Sequence, residues 1–381
     1  MKGKVLFTAI SAMLLTASCS NDEVTELNMN NAIKFNVTTG NMSRATATKT
    51  DNINNFKVWA YTSDETTKLE YMKDVVVTKS GTDWTYSPVV FWPKDYKLDF
   101  YAVSPSTVTP TINTTTATIT DYTVTDGKED LLYSYKKEAT KGSAVNLNFR
   151  HALSQIAFKI KNTRATDMQV KVKSIKVKGI ADKSTLTWAT ATTGDNLTSA
   201  SNDTETGASW GSWSAPTKSV AGYGTEYIFY ATAEGSTPTT LTASEAEIGE
   251  PLFLMPQTLT PWNKLGNGTT TTNYGACLLV DCQIMGGTSM DVKIWPEDAS
   301  DYATVAIPLT NPTNDPHKTG TEQDKWMQGK KYVYTIIFGE GAGYKPTPGG
   351  DTPEPVLVPI TFTVTVDEFQ DGGSTDIDAK N

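Results

Sequence analysis

The stretch "MQVKVKSIKVKGI", Met168 to Ile180, sets Val170 and Val172 in strict alternation with lysines, then resumes the pattern with Ile175 and Val177. A period of two sends successive side chains to opposite faces of an extended backbone, so one face is apolar and the other charged. Between Val172 and Ile175 the period slips, which marks a β-bulge that resets the inward face. The preceding "SQIAFKIKN", Ser154 to Asn162, alternates in the same way. Nowhere does a capped 3.6-residue period persist, and "RHALSQ", Arg150 to Gln155, has room for one helical turn at most. The reading is all-β.

Outward from this stretch the pattern continues. Upstream, strands are predicted over Ile33–Thr38, Phe56–Thr62, Lys73–Lys79, Trp84–Trp92, Leu98–Val103, Ala117–Val124, Leu131–Tyr135 and Val145–Phe149. Downstream they are predicted over Leu186–Trp188, Glu226–Tyr230, Leu252–Met255, Ala276–Gln283, Val292–Trp295, Tyr302–Ile307 and Lys331–Phe338. Short turn-like pieces such as "KSGTD" and "TDGKED" separate them, the spacing of a β-sandwich. A chain of 381 residues suits two domains of ordinary size. The net charge of −9 and pI near 4.9 exclude nucleic acid as a partner, because phosphate binding needs clustered positive charge.

The two ends read differently from the middle. Lys2 and Lys4 precede an apolar run, Val5 to Leu15, that is too short to span a bilayer and suits a leader. "LLTASC" then places small residues before Cys19 and resembles a bacterial lipobox, with Thr16 where an aliphatic residue is usual. Lipidation of Cys19 is expected, and ordinary leader cleavage is the alternative. "SNDE", Ser20 to Glu23, resembles the acidic tetrads that send Bacteroidetes lipoproteins to the outer face of the outer membrane; a plain polar tether is the alternative. At the far end, "GEGAGYKPTPGGDTPEP", Gly339 to Pro355, combines glycine freedom with proline extension and is predicted to be a tether.

That tether leads to "VPITFTVTVDEF", where Ile360, Phe362, Val364 and Val366 share one face. The first strand carries the same pattern, Ile33-x-Phe35-x-Val37. Burying those three side chains contributes roughly 5–9 kcal/mol gross, comparable with the whole net stability of a domain, about 5–15 kcal/mol. Arg44, one of three arginines in the chain, follows the first strand. It is flanked by Ser43, Ala45 and Thr46, small residues that suit proteolysis between Arg44 and Ala45. Arg164 in "NTRAT", expected at a hairpin tip, competes for that role, and Arg150 is expected at a structured junction. The expected organisation is a leader (1–18), a lipid tether with a removable first strand (19–44), an N-terminal sandwich (45–150), a C-terminal sandwich (151–338), and a flexible tether with a donor strand (339–381).

Catalytic and metal chemistry finds little footing. Two histidines, His151 and His317, leave no room for a triad, and His151 is expected to be packed at a domain junction. "GASWG", Gly207 to Gly211, matches G-x-S-x-G but lacks the strand before and helix after that a nucleophile elbow needs. Cys277 and Cys282 fall on opposite faces of one strand, roughly 17 Å apart, beyond the ~7 Å that a disulfide spans. No enzyme activity, cofactor or metal is expected. Trp210 and Trp213 suit core and turn packing, with sugar stacking as the alternative.

These features together resemble the fimbrillin family of Bacteroidetes surface lipoproteins. The resemblance is carried by the lipobox at Cys19, "IKFNV" before "SRAT", "FKVWAYT" and "WTYSPVVFWPKDYKLDFYAVSP". It continues through "FRHALSQIAFKIKN", "PLFLMPQTLTPW", "GKKYVYTIIFG" and "ITFTVTVDEF", in an order that covers nearly the whole mature chain. The resemblance implies two transthyretin-like β-sandwich domains in series and a lipidated precursor cut by a trypsin-like, Arg-directed protease. It also implies polymerisation by strand exchange with other fimbrial subunits, of the same or related sequence, into extracellular fimbriae that support adhesion. The alternative is a monomeric surface lipoprotein or fimbrial tip adhesin that binds a host glycan or protein.

Overall fold

The computed structural model describes residues 31–39, 53–63, 67–113, 116–188, 208–212, 226–260, 275–309, 325–339, 341, 343–344, 356, 361–368 and 377–378. Among the described residues there is no α-helix, and the chain is all-β. Seven strands form the first sheet, in the spatial order Phe35–Thr39, Val145–His151, Leu132–Ala139, Leu98–Ser104, Asn55–Thr62, Glu70–Ser80 and Asp83–Thr85. Its central strands are buried on both faces. Phe56, Val58, Ala60, Phe100 and Ala102 enter one core, while Trp59, Tyr61, Tyr101 and Val103 enter another. A strand covered on both sides reads as a continuous apolar run, which explains "LDFYAV". The exception in that run, buried Asp99, accepts from Ser63 Oγ at 2.5 Å and the Glu138 amide at 2.8 Å, and it pairs with Lys68.

Met168–Lys178 runs between Tyr227–Ala231 and Cys277–Gly286, and the latter also pairs with Val292–Trp295 and Ala303–Pro308. The register shifts between Val172 and Ser174, which is the bulge that the slipped period requires. Val170, Val172, Ile175 and Val177 are all fully buried. Ser154–Asn162 belongs to a different sheet, parallel to Lys330–Phe338. Arg164 therefore does not sit at a hairpin tip; it lies in a turn that carries the chain from one sheet to another. That turn is fixed by Asn162 Nδ2 donating to Met168 O at 2.7 Å and the Thr163 amide donating to Phe338 O at 2.8 Å.

A further sheet joins Thr111–Ile112, Ala117–Thr123, Lys183–Trp188 and Ala208–Trp210. It draws strands from both sides of residue 150, so the expected domain boundary separates neighbours in one sheet. The larger core accordingly runs from Trp59 to Phe338 in sequence. One predicted strand is much shorter in the structure, and an observed strand lies outside those predicted. Of the expected Trp84–Trp92 strand, Trp84 and Thr85 alone are in a strand, Asp83–Thr85, because Pro88 has no amide to offer a ladder. Ala208–Trp210, inside a low-complexity polar stretch, pairs with Lys183–Trp188.

Candidate functional site

The segment from Asn31 to Thr39 lies at one end of the seven-stranded sheet. Its alternation is realised fully: Ile33, Phe35 and Val37 are buried at 1%, 6% and 5% exposure, while Lys34, Asn36 and Thr38 are exposed. Phe35–Thr39 runs parallel to Val145–His151, with Phe35 opposite Val145, Val37 opposite Leu147 and Thr39 opposite Phe149. The other flank is stitched near its start. The Ile33 amide donates to Val90 O at 2.9 Å, the Trp92 amide donates to Asn31 O at 2.9 Å, and Tyr86 Oη donates to Ile33 O at 2.8 Å.

The Phe35 ring sits among Phe56, Tyr86 and Phe100, at centroid distances of 5.8, 5.6 and 5.9 Å. With Ile53, Trp92, Leu147 and Phe149 these side chains make a core separate from the larger one. Taking the segment away would empty a groove walled by aromatic rings and floored by backbone groups of residues 90–92 and 145–149. Unpaired ladder groups and bare apolar surface recruit another strand.

The chain's end is arranged differently from the sequence expectation. The sequence predicts a tether from Gly339 to Pro355 that holds the last strand clear of its own fold. In the structure Tyr344 is docked: its amide donates to Ala306 O at 2.9 Å, and the Ala306 amide donates back to Tyr344 O at 2.8 Å. Tyr344 also packs with Cys277, Leu279 and Ala306. Gly343 makes this approach feasible, since it has φ +79° and an added Cβ would lie 2.7 Å from Ala306 O. The Val356 amide donates to Gly343 O at 2.9 Å.

Thr361–Glu368 then pairs antiparallel with Lys330–Phe338 of the same chain, setting Phe362 opposite Ile336, Val364 opposite Tyr334 and Val366 opposite Tyr332. The reason is an open ladder. Ser154–Asn162 occupies one side of Lys330–Phe338, and the other side needs a partner for its amides and carbonyls. The sequence held a signal for this pairing, because Lys330 and Lys331 fall opposite Glu368 and Asp367. Ile360 lies outside the described residues, as do Cys19, Arg44 and Ala45.

The other residues singled out in the sequence take structural places. Cys277 and Cys282 are free and buried, Cys282 in the large core and Cys277 beneath Tyr344. Burial pushes the Cys277 thiol up to about 12, and Cys282 rises for the same reason. His151 is buried with its Nδ1 2.5 Å from Asp130 Oδ2. Arg150 is buried in the adjoining strand position. Trp210 donates from Nε1 to Ala152 O at 2.8 Å, and its ring is tilted against Tyr122 at a centroid distance of 6.1 Å. Ser209 lies within a strand rather than at an elbow, and Trp213 lies outside the described residues. No cluster of His, Cys, Asp and Glu that could hold a metal occurs among the described residues.

A family model described as fimbrillin-like matches residues 43–366. Among solved structures, the chain is similar to a fimbrial protein from Bacteroides vulgatus at 15% identity and TM-score 0.48, covering 89% of this chain and 99% of that one. It is similar to a candidate cell adhesion protein from Bacteroides uniformis at 13% identity and TM-score 0.43, covering 89% and 100%. It is also similar to the C-terminally truncated tip fimbrial protein Mfa3 from Porphyromonas gingivalis, at 10% identity and TM-score 0.32, covering 82% and 93%. No curated protein matches the chain significantly.

Proposed function

The chain belongs to the fimbrillin-like family, and from that premise we propose that it is a structural subunit of a surface fimbria, assembled by strand exchange. The proposed precursor is an outer-membrane lipoprotein held by lipid on Cys19 and facing the cell exterior. A trypsin-like, Arg-directed protease cuts between Arg44 and Ala45, which frees the segment bearing Ile33, Phe35 and Val37. The vacated groove then accepts the terminal strand of another subunit, carrying Ile360, Phe362, Val364 and Val366. The reading assigns the protein no catalytic role.

The observation that carries this reading is the placement of Asn31–Thr39. A buried apolar strand at the end of a sheet, joined by short sequence to Arg44, can leave without unthreading any other strand. Arg164, the competing site, is exposed and paired with Asp167, yet its backbone is held in a hydrogen-bonded turn: the Met168 amide donates to Arg164 O at 2.8 Å. A protease needs a locally extended chain, which counts against Arg164 as the cut site. Donation also requires Thr361–Glu368 to leave Lys330–Phe338, which makes the uncleaved subunit self-capped.

Limited trypsin treatment of the purified precursor tests the reading. The expected product begins at Ala45, and SDS-resistant ladders form only after the cut. A product beginning at Ala165, or ladders of equal strength without cleavage, would overturn it. Cys19→Ala is expected to release the precursor from membranes and abolish acyl labelling; persistent labelling would remove the lipid anchor from the account.

A further inference from the structure

The groove occupied by Asn31–Thr39 discriminates between positions along its length. Its centre is a pocket for one aromatic ring, formed by Phe56, Tyr86 and Phe100 around Phe35. Aliphatic seats lie two residues to either side, at Ile33 and Val37. Within the terminal strand one residue spacing meets that demand, Ile360-x-Phe362-x-Val364.

Phe362 can reach the pocket with the strand in either direction, since Ile and Val differ by one methylene and both are β-branched aliphatics that suit the flanking seats. The residues further along decide between the two. In the direction of the present strand, Val366 takes the place of Thr39, opposite Phe149 of the core. Asp367 then falls one step further, opposite Arg150 of the same strand. In the reverse direction Val366 falls at Asn31, where the chain turns to bond Trp92, and the two carboxylates gain no basic partner along Val145–His151. Apolar extension and charge complementarity both favour the first arrangement.

Resting on the strand-exchange reading, we propose that the donated strand of a second copy lies parallel to Val145–His151, with Phe362 in the Phe35 pocket. Phe362 is thereby the residue that sets register, and the neighbours of Val145–His151 follow from it. Asn36 now faces Asn146, its Nδ2 donating to Asn146 Oδ1 at 3.0 Å; in the polymer that position belongs to Thr363.

Paired cysteines read both register and direction. Asn146→Cys is combined in turn with Thr361→Cys, Thr363→Cys and Thr365→Cys in the full chain, which is then cleaved, allowed to polymerise and oxidised. Cys277 and Cys282 are buried in the native fold. The expected result is a disulfide-linked dimer band, at least tenfold stronger with Thr363→Cys than with the other two. A dominant band with Thr361→Cys means a reversed strand, and one with Thr365→Cys means a shifted register; either overturns the proposal. Ladders from the unsubstituted protein without a cross-link in any pair overturn the register alone. Absence of ladders from the unsubstituted protein overturns the strand-exchange reading and the register with it.

Discussion

Phe35 and Cys277 show what single side chains contribute here. Phe35, 6% exposed and ringed by three aromatics, leaves a cavity if truncated. Phe35→Ala is expected to cost the uncleaved protein about 3–5 kcal/mol in urea unfolding; a loss below about 1 kcal/mol would mean that the strand contributes little to the groove. Cys277 titrates from an ordinary 9.0 to about 12 because burial disfavours the thiolate. Below 9 the thiol is neutral in both folded and unfolded chains, and no stability is lost. Between 9 and 12 the unfolded chain releases a proton that the folded chain retains, so stability falls as pH rises. Urea melts at pH 8 and pH 10 should show this fall, and Cys277→Ala should shrink it; an unchanged slope would assign the fall to other groups.

At the scale of elements, the terminal strand behaves as part of its own sheet. Thr361–Glu368 adds a full ladder to Lys330–Phe338, and Tyr344, earlier in the chain, is anchored to Ala306. Deleting Pro355 to Asn381 uncovers that ladder beside core residues Tyr332, Tyr334 and Ile336. The expected outcome is a lower thermal midpoint for the uncleaved monomer together with loss of polymers. An unchanged midpoint would mean that the strand does not contribute to its own fold in solution. Gly343→Val tests the anchor separately, since its Cβ collides with Ala306 O in a left-handed backbone region. It should lower the midpoint by less than the deletion does, because Thr361–Glu368 keeps its own ladder.

Across the whole molecule, the sheet that joins Ala117–Thr123 to Lys183–Trp188 ties the two halves together. Junction contacts reinforce it: Tyr227 Oη donates to Val124 O at 3.0 Å, and Gln328 Nε2 donates to Tyr133 Oη at 2.7 Å. Residues on either side of position 150 share the larger core. Unfolding should therefore be a single transition, with tryptophan fluorescence and far-UV circular dichroism coincident in guanidinium. Two resolved transitions would show that the halves are separate domains in the energetic sense.

The alternation of Ile33, Phe35 and Val37, the slip after Val172, and the odd spacing of Cys277 and Cys282 were legible in the sequence. Each depends on one strand's own period, which local sterics impose on any extended chain. The parallel pairing of Phe35–Thr39 with Val145–His151, the sheet shared across residue 150, and the return of Thr361–Glu368 to Lys330–Phe338 were not. Pairing partners are chosen by which apolar faces and open ladders meet in space, and beyond the charge match of Lys330 and Lys331 with Glu368 and Asp367 the residues carry no local mark of that choice. Sequence by itself determined which side of each alternating strand would be dry. Only the tertiary structure decided which strand lies beside which, because backbone hydrogen bonds join any two strands that close packing brings together.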